Sequence, residues 1–251
     1  MGVLPDYAKL KNNADANDNP VTAKDDTLLI SQASVFLAGK VTNSLGVFSQ
    51  FTYDPYAGVD QAGQSKGFLV QDNTDIRFAR SIDRANQNVI WGLTLHNSPS
   101  VQDVWNSSPA WGYPYVARNG ALGVPNDVAA TFIESGNGPF AGFGGYVYWD
   151  KTIYLELTSY QTAHNGLSFL SLGHHANDAL GNNLLTFIDG SAPYARVAYT
   201  KEYGAHNIMF GGTYLNVKIY PTNADGTGSD FSASRTQYKD SSLDSQYGLC
   251  K

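Results

Sequence analysis

Two unlike faces alternate along many short segments of this chain. In "AGFGGYVYWDKTIYLELTSYQ", residues 141–161, apolar side chains recur at every second position on both sides of Asp150-Lys151, while glycine, tyrosine and polar residues fill the positions between them. Successive side chains of a β-strand point to opposite faces of the sheet, so this spacing predicts a β-hairpin with a tight turn. One face of the hairpin is apolar and the other is mixed.

The same alternation predicts nine strands along the chain. They are residues 28–41, 45–54, 74–82, 89–96, 140–149, 152–160, 192–200, 206–220 and 238–249. Short turns alternate with the long connections 55–73, 97–139, 161–191 and 221–237. Outer-membrane barrels have short periplasmic turns and long extracellular loops, which an immunoglobulin-like sandwich does not require. The predicted fold class is therefore all-β, an antiparallel up-and-down transmembrane β-barrel.

Strand number and direction predict an incomplete barrel. We expect residues 1–27 to form a poorly ordered segment on the outer side and residues 28–251 to form the barrel domain. Nine strands would leave one terminus outside, whereas single-chain bacterial barrels close with even numbers of strands. The chain is therefore expected to be a fragment of a longer barrel.

Charged and polar side chains gather on the second face. Eight residues share the parity of an inward face and are predicted to line a pore: Lys40, Gln50, Asp75, Arg77, His96, Glu156, Tyr194 and Arg196. A soluble barrel would instead bury its apolar set, and periodicity alone does not separate the two arrangements. Tyr53, Trp149 and Tyr199 belong to the apolar set near strand ends, as in the aromatic girdles at membrane interfaces. Their placement favours lipid on the apolar face.

Composition excludes several other classes of function. The chain has 251 residues and a net charge of -6, which argues against a nucleic-acid partner. Its single cysteine, Cys250, provides neither a disulfide framework nor the cysteine pair that attaches haem, so no cofactor is expected. A run of about 18 apolar residues, as a transmembrane helix requires, does not occur.

The longest connection contains "HNSPSVQDVWNSSPAWGYPYVARNG", which is dense in tryptophan, tyrosine and proline. Such a loop is stiff and carries much apolar surface, so it could fold into the barrel mouth and narrow it. An external lid over the mouth is the alternative. The residues predicted to form the constriction are Asp103, Trp105, Asn106, Trp111, Tyr113 and Tyr115.

Metal binding and catalysis receive little support from the sequence. "GHHAND" contains His174 and His175, with His164 upstream, but adjacent side chains of an extended chain point in opposite directions. A chance pair of loop histidines explains the pattern better than a metal site does. Serine, histidine and aspartate are present without the G-x-S-x-G context of a hydrolase, so no enzyme is predicted.

Four segments carry a family resemblance: "ASVFLAGKVTNSLGVFSQFTYD", "NTDIRFAR", "WGLTLHNSPSVQDVWNSSPAWGYPY" and "APYARVAYTKEYGAHNIMFGG". Together they resemble porin-like outer-membrane proteins of bacteria, a family often labelled cytochrome c from its gene context. The resemblance runs from about Thr27 to about Tyr247, and the block from Asp103 to Tyr115 is its most specific part. It implies a porin-like architecture and electron-transfer surroundings. Without a haem-binding cysteine pair, only the architecture is carried over.

Three functions follow from this pattern. The leading hypothesis is a porin-like channel in the bacterial outer membrane, or the barrel component of a transport or electron-transfer assembly, with membrane lipid and small solutes as its partners. The second is a non-conducting sheath around a periplasmic multihaem cytochrome. The third is a soluble β-barrel that serves as a binding module.

Overall fold

The computed structural model describes residues 2–8, 27–59, 65–84, 87–97, 140–171, 187–224 and 228–249. They form one antiparallel sheet whose ten strands follow one another in sequence order. The strands are β1 (Gly2–Ala8), β2 (Thr27–Lys40), β3 (Leu45–Val59), β4 (Ser65–Arg84), β5 (Gln87–Asn97), β6 (Phe140–Trp149), β7 (Ile153–Thr162), β8 (Ala192–Tyr203), β9 (His206–Ile219) and β10 (Thr236–Leu249). A 3-10 helix, Asn165–Leu170, follows β7. The all-β, up-and-down fold and the nine predicted strands are confirmed.

A further strand, β1, lies within the segment predicted to be poorly ordered. It pairs with Thr27–Ser34 of β2, and its register shifts between Leu4 and Pro5. Proline has no amide hydrogen to donate, so it is tolerated at such irregular positions and in edge strands. Within the described residues no pairing joins β1 to β10, and the two strands form the edges of an open sheet.

The predicted long connection 55–73 differs from the structure. Strand β3 continues to Val59 and β4 begins at Ser65, so only residues 60–64 separate them. The register is irregular between Asp54 and Gly58. Backbone hydrogen bonds between paired strands do not depend on apolar alternation. Because this segment is paired without such alternation, its sequence gave no strand signal.

The shorter and the longer connections lie at opposite ends of the sheet. The four at one end are residues 41–44, 85–86, 150–152 and 204–205, and each connection at the other end is longer, although residues 60–64 exceed 41–44 by only one residue. Asp150 and Lys151 both have a φ of 50°, and the Thr152 amide donates to the Trp149 carbonyl at 2.9 Å. Two positive φ angles and this hydrogen bond define a type I′ turn, which matches the twist of a β-hairpin. The predicted tight turn is confirmed.

The sheet has one buried face and one exposed face. On β7 the buried face carries Tyr154, Glu156, Thr158 and Tyr160, and the residues between them belong to the exposed face. Two apolar clusters lie toward opposite ends of the buried face, one around Tyr160 and Tyr194 and the other around Tyr154 and Ala198. Glu156 on β7 and Arg196 on β8 lie between these clusters.

Candidate functional site

Apolar side chains are exposed on one face of the sheet, and charged side chains are buried on the other. Leu155 and Leu157 are 49% and 72% exposed, whereas Glu156 between them is 2% exposed. The pattern continues across the sheet, where apolar side chains form lateral rows on the exposed face. One such row, joined by strand register, is Trp91, Val147, Leu155, Val197, Gly212 and Leu243.

All eight residues predicted to line a pore lie on the buried face. Register places Asp75 directly opposite His96, and Glu156 directly opposite Arg196. Six of the eight are buried: Gln50, Asp75, His96, Glu156, Tyr194 and Arg196. Arg77 is partly exposed and Lys40 is exposed at the end of β2. The sequence therefore indicated which face each residue occupies, although their role as a pore lining remains a prediction.

A chain of hydrogen bonds crosses the buried face from β4 through β5 to β7. Arg77 Nη2 lies 2.6 Å from Asp75 Oδ2, and Thr94 Oγ1 donates to Asp75 Oδ1 at 3.1 Å. His96 Nδ1 lies 3.0 Å from the same Thr94 oxygen, and His96 Nε2 lies 2.8 Å from the Tyr160 hydroxyl. Because the Thr94 proton goes to Asp75, Nδ1 of His96 is the donor to Thr94. His96 Nε2 then accepts from Tyr160, and each donor in the chain has an acceptor.

A second polar group surrounds Glu156. Its two carboxylate oxygens accept hydrogen bonds from the Tyr154 hydroxyl at 2.7 Å and from Thr158 Oγ1 at 2.8 Å. The Tyr154 ring stacks on Tyr146, and the Arg77 guanidinium lies 5.2 Å from the centre of the Tyr146 ring. Through Arg77 and Tyr146, the polar group around Glu156 is therefore continuous with the hydrogen-bond chain that includes Asp75. The two hydrogen bonds to the buried Glu156 carboxylate hold it in one position.

Arg196 connects the middle of the sheet to its last strand. Its two terminal nitrogens donate to the two carboxylate oxygens of Asp244 at 2.8 and 3.0 Å, a bidentate pair that passes over Gly211 of β9. Arg196 is 1% exposed. Alternation in the sequence identifies Arg196 but not Asp244, which lies 48 residues away on a largely polar strand.

Glycines on the buried face make room for these groups, a role that the sequence alone did not reveal. A Cβ added at Gly144 would overlap Thr158 Oγ1, and one at Gly142 would lie 2.5 Å from the Tyr160 ring and 2.8 Å from His96 Nε2. A Cβ at Gly211 would lie 2.7 Å from Arg196 Nη2. The sequence signal for this role was their position, because these glycines fall on the same alternate positions of their strands as the polar residues of the buried face.

Several predicted residues lie outside the described parts of the chain. They are the six constriction residues, Asp103, Trp105, Asn106, Trp111, Tyr113 and Tyr115, and the histidines His174 and His175. His164 is described, and its Nδ1 lies 2.8 Å from the Thr162 carbonyl oxygen. Among the described residues no group of three histidine, cysteine or acidic side chains is placed to hold a metal ion. No helix in this part of the chain is long and apolar enough to cross a membrane.

In the loop between β9 and β10, Asp230 stabilises a turn by accepting hydrogen bonds from the residues that follow it. Asp230 Oδ1 accepts from the Ser232 hydroxyl at 2.6 Å, from the Ser232 amide at 2.8 Å and from the Ala233 amide at 3.2 Å. The hydrogen bond from the Ser232 side chain is the main reason that the pKa of Asp230 lies below its ordinary value.

Comparison with known proteins adds no relative. The chain matches no protein-family model, no curated protein and no solved structure.

Proposed function

We propose that this chain forms part of the wall of a porin-like β-barrel in a bacterial outer membrane, where it contributes to a channel for small solutes. The observation that carries the proposal is the exposure of one apolar face of the sheet, on which Leu155 and Leu157 are 49% and 72% exposed. In water, an outward leucine forgoes roughly 1.5–3 kcal/mol that its burial would contribute. In a bilayer the same side chain meets hydrocarbon, so the arrangement becomes favourable.

Charged side chains on the exposed face lie mainly toward the strand ends. Lys201 is close to the turn between β8 and β9, whereas Lys218 and Lys239 lie toward the long connections. Arg80 is closer to the middle, where it pairs with Trp91, and its guanidinium lies 5.9 Å from the Phe78 ring centre. A long arginine side chain can reach an interface from such a position.

Aromatic side chains mark both ends of the apolar band. Trp149, Ile153, Tyr199 and Phe210 are neighbours in one lateral row at the end with the short turns. Tyr53 is 45% exposed toward the opposite end. Rings with one polar edge are favourable where hydrocarbon meets headgroups, so these positions suit a membrane interface.

A second candidate is the non-conducting sheath, in which the interior is occupied by a partner such as a multihaem cytochrome. The burial of Asp75, Glu156 and Arg196 favours it, because residues that line an open aqueous channel remain in contact with water. Planar-bilayer recording separates the two candidates. Stepwise single-channel currents from the full chain support a channel, and their absence from an inserted protein supports the sheath.

Tryptophan quenching tests the membrane proposal itself. Trp91 and Trp149 lie on the exposed face, so lipids brominated on their acyl chains should quench their fluorescence after reconstitution. The matched control is the double variant Trp91→Phe and Trp149→Phe, which retains Trp105 and Trp111 and should lose most of the quenching. Equal emission in brominated and ordinary lipid would overturn the proposal and favour the soluble binding module.

A further inference from the structure

An open depression of about 740 Å³ lies on the exposed face of β8, β9 and β10. The residues that line it include the small Ala195, Gly212 and Ser241 and the larger Val197, Tyr214 and Leu243. Register explains the shape, because Ala195, Tyr214 and Ser241 share one lateral row, and Val197, Gly212 and Leu243 share the next. Each row combines small and large side chains, which leaves a groove between the large ones.

Two lysines border this depression on the side of the long connections. Lys239 is paired with Asn216 in the row directly beyond Tyr214 and Ser241, and Lys218 is paired with Gln237 two residues further along. Gln237 Nε2 donates to Asn216 Oδ1 at 2.8 Å, which joins the two amide side chains diagonally across β9 and β10. The two lysines occupy the opposite diagonal of the same four positions. We call these four residues the lysine patch: Asn216, Lys218, Gln237 and Lys239.

The positive charge of the lysine patch is not neutralised by the described part of the chain. Neither lysine forms an ion pair with a described residue, and both side chains are exposed. Asp189, whose amide donates to the Lys218 carbonyl, has its carboxylate 3.5 Å from Arg235 Nε and accepts from the Tyr220 hydroxyl at 3.1 Å. Two neighbouring cations therefore border an apolar groove on a chain whose net charge is -6.

We infer that this surface binds an anionic phospholipid of the surrounding membrane, one whose headgroup has a net negative charge. The acyl chain would lie in the depression between Tyr214 and Leu243, and the phosphate would lie between the ammonium groups of Lys218 and Lys239. The inference rests on the proposed function, because it requires the exposed face to lie in a bilayer. Lipid is the favoured occupant since the groove is continuous with the apolar band and the two cations complement a phosphate.

Lipid retention measured by native mass spectrometry tests the inference. The full chain in non-ionic detergent is incubated with equal amounts of phosphatidylglycerol and phosphatidylcholine, and retention of phosphatidylglycerol is expected to exceed that of phosphatidylcholine. The double variant Lys218→Gln and Lys239→Gln should lower this ratio by about tenfold, since each lysine near an anionic headgroup attracts it electrostatically. The control variant Lys151→Gln and Lys201→Gln removes the same charge near the turns and should leave the ratio unchanged.

A second pair of variants tests the groove separately from the charge. Ala195→Leu and Ser241→Leu each fill the depression and should reduce the retention of both lipids at an unchanged ratio. Equal retention of the two lipids by the wild type, or an equal loss in the control variant, would overturn the inference. If brominated lipid quenches the tryptophan fluorescence but phosphatidylglycerol is not preferred, only this inference fails. If brominated lipid does not quench the fluorescence, the proposed function fails as well.

Discussion

Glycine determines how closely the side chains of the buried face can lie across neighbouring strands. Gly144 stands directly opposite Thr158, whose hydroxyl donates to Glu156 across the space that a methyl group would fill. A Cβ added at Gly39, on the exposed face, would have no atom within 4 Å. The two glycines therefore have different roles although both lie within strands.

Gly144→Ala should destabilise the protein, whereas Gly39→Ala should not. The new methyl group at Gly144 would also lie 2.7 Å from the Leu157 carbonyl oxygen, so backbone as well as side chain must move. Overpacking of this kind costs roughly 1–3 kcal/mol in the free energy of unfolding. Urea unfolding of the two variants in the same lipid measures the difference. Equal stability would show that the buried face is less tightly packed than the structure indicates.

At the scale of elements, β10 is joined to β9 by an unbroken ladder of paired residues and to β8 by the ion pair between Arg196 and Asp244. The strand is an edge of the sheet, and its exposed face includes Lys239, Ser241 and Ser245. Asp244→Asn should weaken the bidentate pair by roughly 1.5–3 kcal/mol, the usual range for hydrogen bonds to charged groups. Hydrogen exchange should then accelerate in β10 and the facing half of β9, and not in β6 and β7.

Asp150→Asn is the control for this loss of charge, because Asp150 lies in an exposed turn where asparagine tolerates a positive φ. A uniform acceleration of exchange across all strands in Asp244→Asn would contradict a local role of the ion pair. An additive double variant, Arg196→Gln with Asp244→Asn, would contradict a direct interaction between the two residues.

Elements with strict alternation and a tight turn could be predicted almost residue by residue. The hairpin of β6 and β7 was expected at 140–149 and 152–160, and it occupies Phe140–Trp149 and Ile153–Thr162. The extensions of β3 and β4 could not be predicted, because "PYAGVDQAGQSKGF" lacks alternation and its pairing depends on the neighbouring strand. Strand β1 was concealed by its short length and by Pro5.

The sequence predicted which face of the sheet each candidate residue occupies, but not which residues are in contact. Alternation alone fixes the face of each strand residue, so all eight predicted residues share the buried face. The contacts depend on register and on the space that glycine leaves, neither of which a single strand reveals. For this reason the pairing of Arg196 with Asp244 and that of His96 with Tyr160 emerged only from the structure.

At the scale of the whole molecule, the environment of the exposed face decides the cost of a charge placed on it. Leu155→Arg should cost roughly 2–4 kcal/mol in lipid if the residue lies near the bilayer midplane. Gln161→Arg, on the same face at the end of β7, should cost much less. In water both substitutions would be surface changes within about 0.5 kcal/mol. Unfolding in vesicles measures both values, and equal small costs would favour a soluble protein.

The opposite placement of short and long connections predicts a sided orientation in the membrane. In a Cys250→Ser background, Asn165→Cys and Ser232→Cys probe the long connections, and Asn43→Cys and Asp150→Cys probe the short turns. All four positions are exposed, so accessibility to a membrane-impermeant maleimide depends on the side of the membrane and not on local burial. On intact bacteria the first two should be labelled and the last two only after permeabilisation, because long loops of outer-membrane barrels face outward. Labelling of one long connection together with one short turn would contradict a barrel that spans the membrane with ordered up-and-down strands.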